Sequence, residues 1–200
     1  MSIPDPMTAL ALVCTLKPSP APSSAGRLAD VLLQPFADAG WQTSSLRVVD
    51  HRIRPGTATD EGDGDTWPTL RARVDEADVL LLVTPIWNGQ PASPYLQVAE
   101  RLNAVLSEKD DAQRTPLFGK VGVIGVVGNE DGARHVGGIG MAALSELGLT
   151  FAAVPLAYYL GEDLVEQDEV PDSVTEMAAR TGSNAIHLAG VLRGSAYPGV

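Results

Sequence analysis

Three short stretches of this chain combine hydroxyls, amides, a cation and glycine in patterns that suit an anionic, planar ligand. The first is Thr15–Gly26, Thr-Leu-Lys-Pro-Ser-Pro-Ala-Pro-Ser-Ser-Ala-Gly. Thr15, Ser19, Ser23 and Ser24 offer hydroxyls and Lys17 a positive charge. A helix starting here adds free backbone N–H groups and the positive end of its dipole. Together these make a phosphate cradle; a proline-stiffened surface loop with an ordinary serine cap is the other reading. The second is the turn Pro85–Pro91, where Trp87, Asn88 and Gly89 offer an aromatic plane, an amide and an unhindered backbone. A planar heterocycle packs well against such a set, which also suits a purely structural turn around a partly buried tryptophan. The third is Gly128-Asn-Glu-Asp-Gly-Ala-Arg-His135. Its glycines let backbone approach a ligand closely, and Asn129, Glu130 and Asp131 supply polar edges. His135 is either an acid or base or a structural residue at a helix start.

These stretches need elements to hold them together, and the chain supplies an alternation of strand-like and helix-like segments. Val79–Val83 is a run of five apolar residues, so the strand it forms has no solvent face and must be covered on both sides. Thr84-Pro85 is expected to end it, since proline lacks a ladder N–H. Ala9–Cys14 reads as the first buried strand. Ser23–Ala39 reads as a helix capped by Ser23 or Ser24, kinked at Pro35 and closed by Gly40. Trp41–Val49 alternates like an outer strand, and Asp50–Asp65 is a glycine-rich acidic loop. A short helix runs from a Thr66 cap to about Glu76, with Pro68 in its first turn. A further helix covers about Pro94–Leu106, with Tyr95, Val98, Ala99, Leu102, Val105 and Leu106 on its apolar face. Lys120–Val127 is a fourth strand, Gly128–Gly138 a loop, and a helix follows to Leu147 with Gly148 as its stop. Leu149–Val154 is a fifth strand, and a last helix spans about 171–192. Such alternation predicts an α/β fold: a flavodoxin-like, doubly wound, five-stranded parallel sheet in the order 2-1-3-4-5 with helices on both faces. No linker divides the chain, so residues 1–200 read as a single domain with a core over about 8–160. In that topology the loops after strands one, three and four meet at the carboxyl edge of the sheet, and these are the three stretches above.

Composition narrows the function. The net charge of −11 argues against nucleic acid or an anionic membrane as partner. Cys14 is the only cysteine, which excludes an internal disulfide and a thiolate metal site within one chain. No apolar run reaches membrane-spanning length and no signal peptide is visible, so a cytoplasmic location is expected. Asp60–Asp65 lacks the register and distal glutamate of an EF-hand and reads as a solvated acidic loop. Gly119-Lys120 is followed by Val121, so no P-loop is present, and Gly137–Gly140 lacks dinucleotide-binding spacing.

Taken together, these residues resemble the flavodoxin-like NAD(P)H-dependent FMN reductase family. Thr84-Pro85-Ile86-Trp87-Asn88-Gly89 is similar to that family's Thr-Pro-x-aromatic-Asn-Gly flavin loop. Leu117-Phe118-Gly119-Lys120-Val121 is similar to the entry to its fourth strand, and Val127–Gly132 to a flavin-edge loop. The first loop resembles the Gly-Ser-x-Arg…Asn-Thr phosphate loop of related iron–sulfur flavoproteins, with Cys14–Lys17 at its start and Ser24-Ala25 for its Asn-Thr. Ala25 lacks the hydroxyl, and Asp50–Asp65 lacks the cluster cysteines of those relatives. The resemblance implies FMN held by three loops. The phosphate would lie at Thr15–Ala25, the ring against Pro85, Ile86, Trp87, Asn88 and Gly89, and the ring edge near Gly128, Asn129, Glu130, Asp131 and Gly132. The backbone N–H groups of Asn88 and Gly89 would tune the reduced ring. The implied activity is hydride transfer from NAD(P)H through FMN to a quinone, flavin or similar small acceptor, in a homodimer or homotetramer. An electron carrier for a basic protein partner and a fold relative that has lost flavin are the alternatives.

Overall fold

In a computed structural model describing residues 6–199, five parallel strands form one sheet. The first five residues and Val200 of the expected domain lie outside the described residues. Strand β1 (Thr8–Val13) is followed by helix α1 (Ser24–Asp38), β2 (Gln42–Arg47) and α2 (Trp67–Glu76). Then come β3 (Val79–Trp87), a two-residue strand β4 (Gln90–Pro91) and α3 (Ser93–Leu102). Strand β5 (Val121–Gly128), α4 (Ala133–Glu146), β6 (Thr150–Leu160) and α5 (Asp172–Gly194) complete the order. The sheet runs β2-β1-β3-β5-β6. With β4 set aside as a hairpin arm, this is the expected flavodoxin-like order.

Side-chain alternation sorts the core into two layers. Leu10, Leu12, Leu80, Leu82, Ile124 and Val126 face α2, α3 and α4, meeting Trp67, Leu70, Tyr95, Val98 and Val136. Ala9, Ala11, Val13, Leu81, Val83 and Val123 face α1 and α5, meeting Leu28, Leu32, Phe36, Val174 and Ala178. Successive residues therefore serve opposite layers, which is why the central strands are apolar throughout.

Several boundaries depart from expectation for physical reasons. Pro85 does not end β3: it pairs with Val127 in the parallel ladder to β5. The Val83 C=O accepts from the Cys14 N–H, so Val83 and Pro85, two residues on, turn their polar groups toward β1. The paired register with β1 ends at Val13–Val83, so Pro85 lies beyond the last β1–β3 pair and breaks no rung between them. Beyond it the chain folds back as a hairpin, with Ile86 opposite Pro91 and Trp87 opposite Gln90. Asn88 (φ 53°) and Gly89 (φ 71°) form its two-residue turn, the left-handed pair that Asn-Gly supplies best. Thr84, fully buried, pins the hairpin by accepting from the Ala92 N–H and donating to the Pro85 C=O, both at 3.0 Å.

The helix expected over Pro94–Leu106 is α-helical only to Leu102 and tightens to a 3₁₀ turn over Asn103–Ser107, which turns Leu106 into solvent. The expected loop Gly128–Gly138 ends at Gly132, so Gly137 and Gly140 lie inside α4. Gly140 is there for space: a Cβ on it would sit 2.0 Å from the Tyr95 hydroxyl. Gly140→Val is expected to cost about 1–3 kcal/mol by overpacking, read as a lower urea midpoint with an unchanged slope; an unchanged midpoint would show that α4 can shift freely. Strand β6 continues past Val154 to Leu160 through a register shift opposite Gly122–Ile124, rather than stopping at Val154.

The acidic segment Asp50–Asp65 is not simply solvated. Asp65 and Arg101 form an ion pair at 2.8 Å with both side chains at 0% exposure. Arg101 also donates to the C=O groups of Arg54 and Ala58 and lies over the Trp67 ring. Asp65, not Thr66, serves the start of α2, accepting from the Trp67 N–H at 3.2 Å and from those of Arg54 and Glu61. Burial pushes the Asp65 carboxyl up, but those three N–H groups and Arg101 outweigh it and bring the pKa down to about 2.

Candidate functional site

Because β1 stops at Val13 while β3 and β5 run on, the carboxyl rim of the sheet carries a notch over β1. The segment after β1, the end of β3, the end of β5 and the segment after β6 wall this notch into a cleft of about 230 Å³. Its lining comprises Thr15, Leu16, Lys17, Ser23, Ser24 and Ala25, then Pro85, Ile86 and Trp87, then Val127, Gly128 and Asn129, and finally Tyr159 and Gly161–Leu164.

The end at α1 is polar. Ser23 caps the helix, its hydroxyl accepting from the Gly26 N–H at 3.3 Å. Ser24 and Ala25 form the first turn, ahead of the first intrahelical bond from the Arg27 N–H to the Ser23 C=O. Both residues line the cleft, so the free N–H groups and positive dipole end of this first turn lie beside it. The Thr15 hydroxyl turns the loop by accepting from the Lys17 N–H. Lys17 Nζ lies 3.6 Å from the Asp163 carboxylate, to which the Ser24 hydroxyl also donates. The Ser24 hydrogen bond, against partial burial and with help from Lys17, holds the Asp163 carboxyl below the usual carboxylate range.

The other end is apolar. Leu16 (48% exposed) and Trp87 (55%) stand open to solvent on a cleft otherwise lined by Pro85, Ile86 and Tyr159. Gly128 closes the floor: a Cβ there would press to 3.1 Å on Ile86. Cys14, next to this floor, is fully buried with its thiol pushed far up by burial, so it offers no reactive thiolate.

Of the sequence-derived candidates, Thr15, Lys17, Ser23, Ser24, Ala25, Pro85, Ile86, Trp87, Gly128 and Asn129 meet in this one cleft. Ser19 does not: its N–H and hydroxyl both bind Asp50, at 2.8 and 2.5 Å, on the outer side of the loop. Asn88, Gly89, Glu130, Asp131 and Gly132 form a junction beside the cleft instead. The Asn88 N–H donates to Glu130 at 2.8 Å, the Gly132 N–H to the Asp131 carboxylate, and Gly132 packs against the Gly89 backbone. His135 is held there by Gln90 at 3.3 Å. The sequence reading missed Leu16, Val127, Tyr159 and Gly161–Leu164. The last five follow a strand expected to stop at Val154, although the aromatic pair Tyr158-Tyr159 was a readable strand signal. Among the described residues no cluster of three or more His, Cys, Asp or Glu suits a metal ion, and no helix is long and apolar enough to cross a membrane.

A flavodoxin-like α/β sheet with a cleft over its topological switch point defines a class of proteins that bind ligands at the carboxyl rim. Residues 7–152 match the family model described as NADPH-dependent FMN reductase, and the chain belongs to that family. It is 34% identical over 164 residues to 8-demethyl-8-aminoriboflavin-5'-phosphate synthase of Streptomyces davaonensis, an alignment covering 78% of this chain. The chain spans 64% of that relative's length, less than two thirds. A crystal structure of RosB with the bound intermediate 8-demethyl-8-formylriboflavin-5'-phosphate superposes with a TM-score of 0.83 at 29% identity, covering 96% of this chain and 82% of that one. An archaeal flavodoxin shares the fold at 12% identity and a TM-score of 0.59, covering 94% and 99% of the two chains.

Proposed function

We propose that the cleft binds FMN and passes hydride equivalents from NAD(P)H to a small acceptor such as a quinone or a second flavin. The observation that carries this reading is the polarity gradient of one cleft, with a hydroxyl, an ammonium and a helix N-terminus at one end and an open apolar shelf at the other. The residues present fit the group. Ser24, Lys17 and the first turn of α1 would hold the phosphate. Leu16, Pro85, Ile86, Trp87 and Tyr159 would flank the ring, and Gly128 would keep the floor flat for it. Bound FMN supplies the two-electron chemistry; the chain positions it and shields one face from water. No side chain in the cleft is needed as an acid or base. Trp87 and Leu16, exposed at the rim, leave a lip for the nicotinamide or the acceptor. A cytoplasmic homodimer or homotetramer that takes small molecules rather than nucleic acid or membrane as its partners completes this reading.

A second reading draws on the similarity to a synthase of a modified flavin phosphate: the flavin enters as the substrate and leaves changed. One experiment separates the two. FMN titrated into the protein is expected to saturate at one per chain with a shifted absorbance band, and anaerobic NADPH is expected to bleach that band with the flavin's mass unaltered on recovery. A recovered flavin of different mass supports the second reading; no spectral shift on mixing rejects both.

A further inference from the structure

Asp163 stands where a phosphate in this cleft must bind. Its carboxylate accepts from the Ser24 hydroxyl and lies 3.6 Å from Lys17 Nζ, so it engages the cleft's ammonium and one of its hydroxyl donors. The segment that carries it is strapped on both sides. The Gly161 N–H donates to the Gly128 C=O at 2.9 Å. Arg27 donates to the C=O groups of Leu164 and Gln167 at 2.6 and 2.5 Å, and the Val165 N–H to the Ser24 hydroxyl oxygen at 3.3 Å. The single proton of Ser24 is therefore committed to Asp163. A carboxylate and a doubly charged phosphate cannot share one hydroxyl proton and one ammonium without repulsion.

Resting on the flavin-phosphate reading above, we infer that Asp163 is a built-in competitor of the ligand's 5'-phosphate, which must push this carboxylate aside to reach Ser24 and Lys17. Asp163 thereby sets the preference between phosphorylated and unphosphorylated flavin and keeps the phosphate end exchangeable. Its hydrogen bond from Ser24 keeps it ionised, so displacement rather than protonation opens the cradle near neutral pH. The straps at Gly161 and Arg27 hold the main chain on either side of Asp163, while its side chain is 37% exposed at the cleft.

The test compares dissociation constants for FMN and riboflavin, by flavin fluorescence at fixed ionic strength, in the wild type, Asp163→Asn and Asp163→Ser. Asparagine keeps the size and loses the charge; serine repeats the experiment should the amide disturb the strap. FMN is expected to bind about fivefold to tenfold tighter in either variant and to leave more slowly, with riboflavin unchanged within about twofold. FMN and riboflavin shifting together, or FMN weakening alone, overturns the assignment while leaving flavin binding intact. A wild type and variants that bind neither flavin overturn the flavin reading and this inference with it.

Discussion

Asp65→Ala is expected to lower the unfolding free energy by about 3–5 kcal/mol, the cost of leaving one charge of a buried pair uncompensated. Arg101 would stay at 0% exposure with two backbone carbonyls but no countercharge, and the N–H groups of Arg54, Glu61 and Trp67 would lose their acceptor. For a domain of this size that loss corresponds to a fall of about 10 °C in melting temperature. The pH dependence gives an independent check. The folded Asp65 carboxyl, at about 2, lies below its ordinary value of 3.8, so its stabilisation is fully present above about pH 4 and is lost as pH falls toward 2. Wild type should lose stability across that window more steeply than Asp65→Ala. Equal acid slopes, or a loss under about 1 kcal/mol, would mean that water reaches the pair in solution. Double replacement of Asp65 and Arg101 by apolar residues is expected to recover much of the loss, since the pair's removal also removes its desolvation cost.

Lys17→Met should weaken FMN binding about tenfold to hundredfold, matching the ~1.5–3 kcal/mol of a hydrogen bond to a charged group. Riboflavin, lacking the phosphate, should bind the variant as it binds the wild type. The side chain of Lys17 is 53% exposed, so the fold should be untouched and the melting temperature should stay within about 1–2 °C. Raising the salt concentration should weaken FMN binding to wild type more than to Lys17→Met, because only the former holds the screened charge. Parallel losses for both flavins would move the phosphate away from the α1 end of the cleft. Together with the Asp163 variants, this places the two charges of the cradle on opposite sides of one measurement: removing the cation loosens FMN and removing the anion tightens it.

Much of the fold was legible because it rests on local patterns. The run Val79–Val83 demanded cover on two sides wherever it lay, and the Ser23 cap followed from residue type at a strand-to-helix junction. The alternation of the two periods then pointed to a doubly wound parallel sheet. The Asn88-Gly89 turn was also readable, yet Pro85 pointed the other way, since its harmlessness depends on β1 ending at Val13. Such a fact belongs to a neighbouring strand. The extension of β6 was hidden by Pro155 and by a register shift against Gly122–Ile124 that only pairing with β5 defines.

What the sequence determined by itself is the set of parts: a doubly wound sheet and three polar or glycine-rich returns at its carboxyl rim. Those are properties of composition and of spacing over a few residues. The tertiary structure alone decided which parts face one another. It turned Ser19 outward to Asp50, drew Glu130 onto the Asn88 N–H, buried Asp65 against Arg101 and laid Asp163 across Ser24, a partner 139 residues away. A charge's role depends on its partner and its burial, and both are set where distant segments meet.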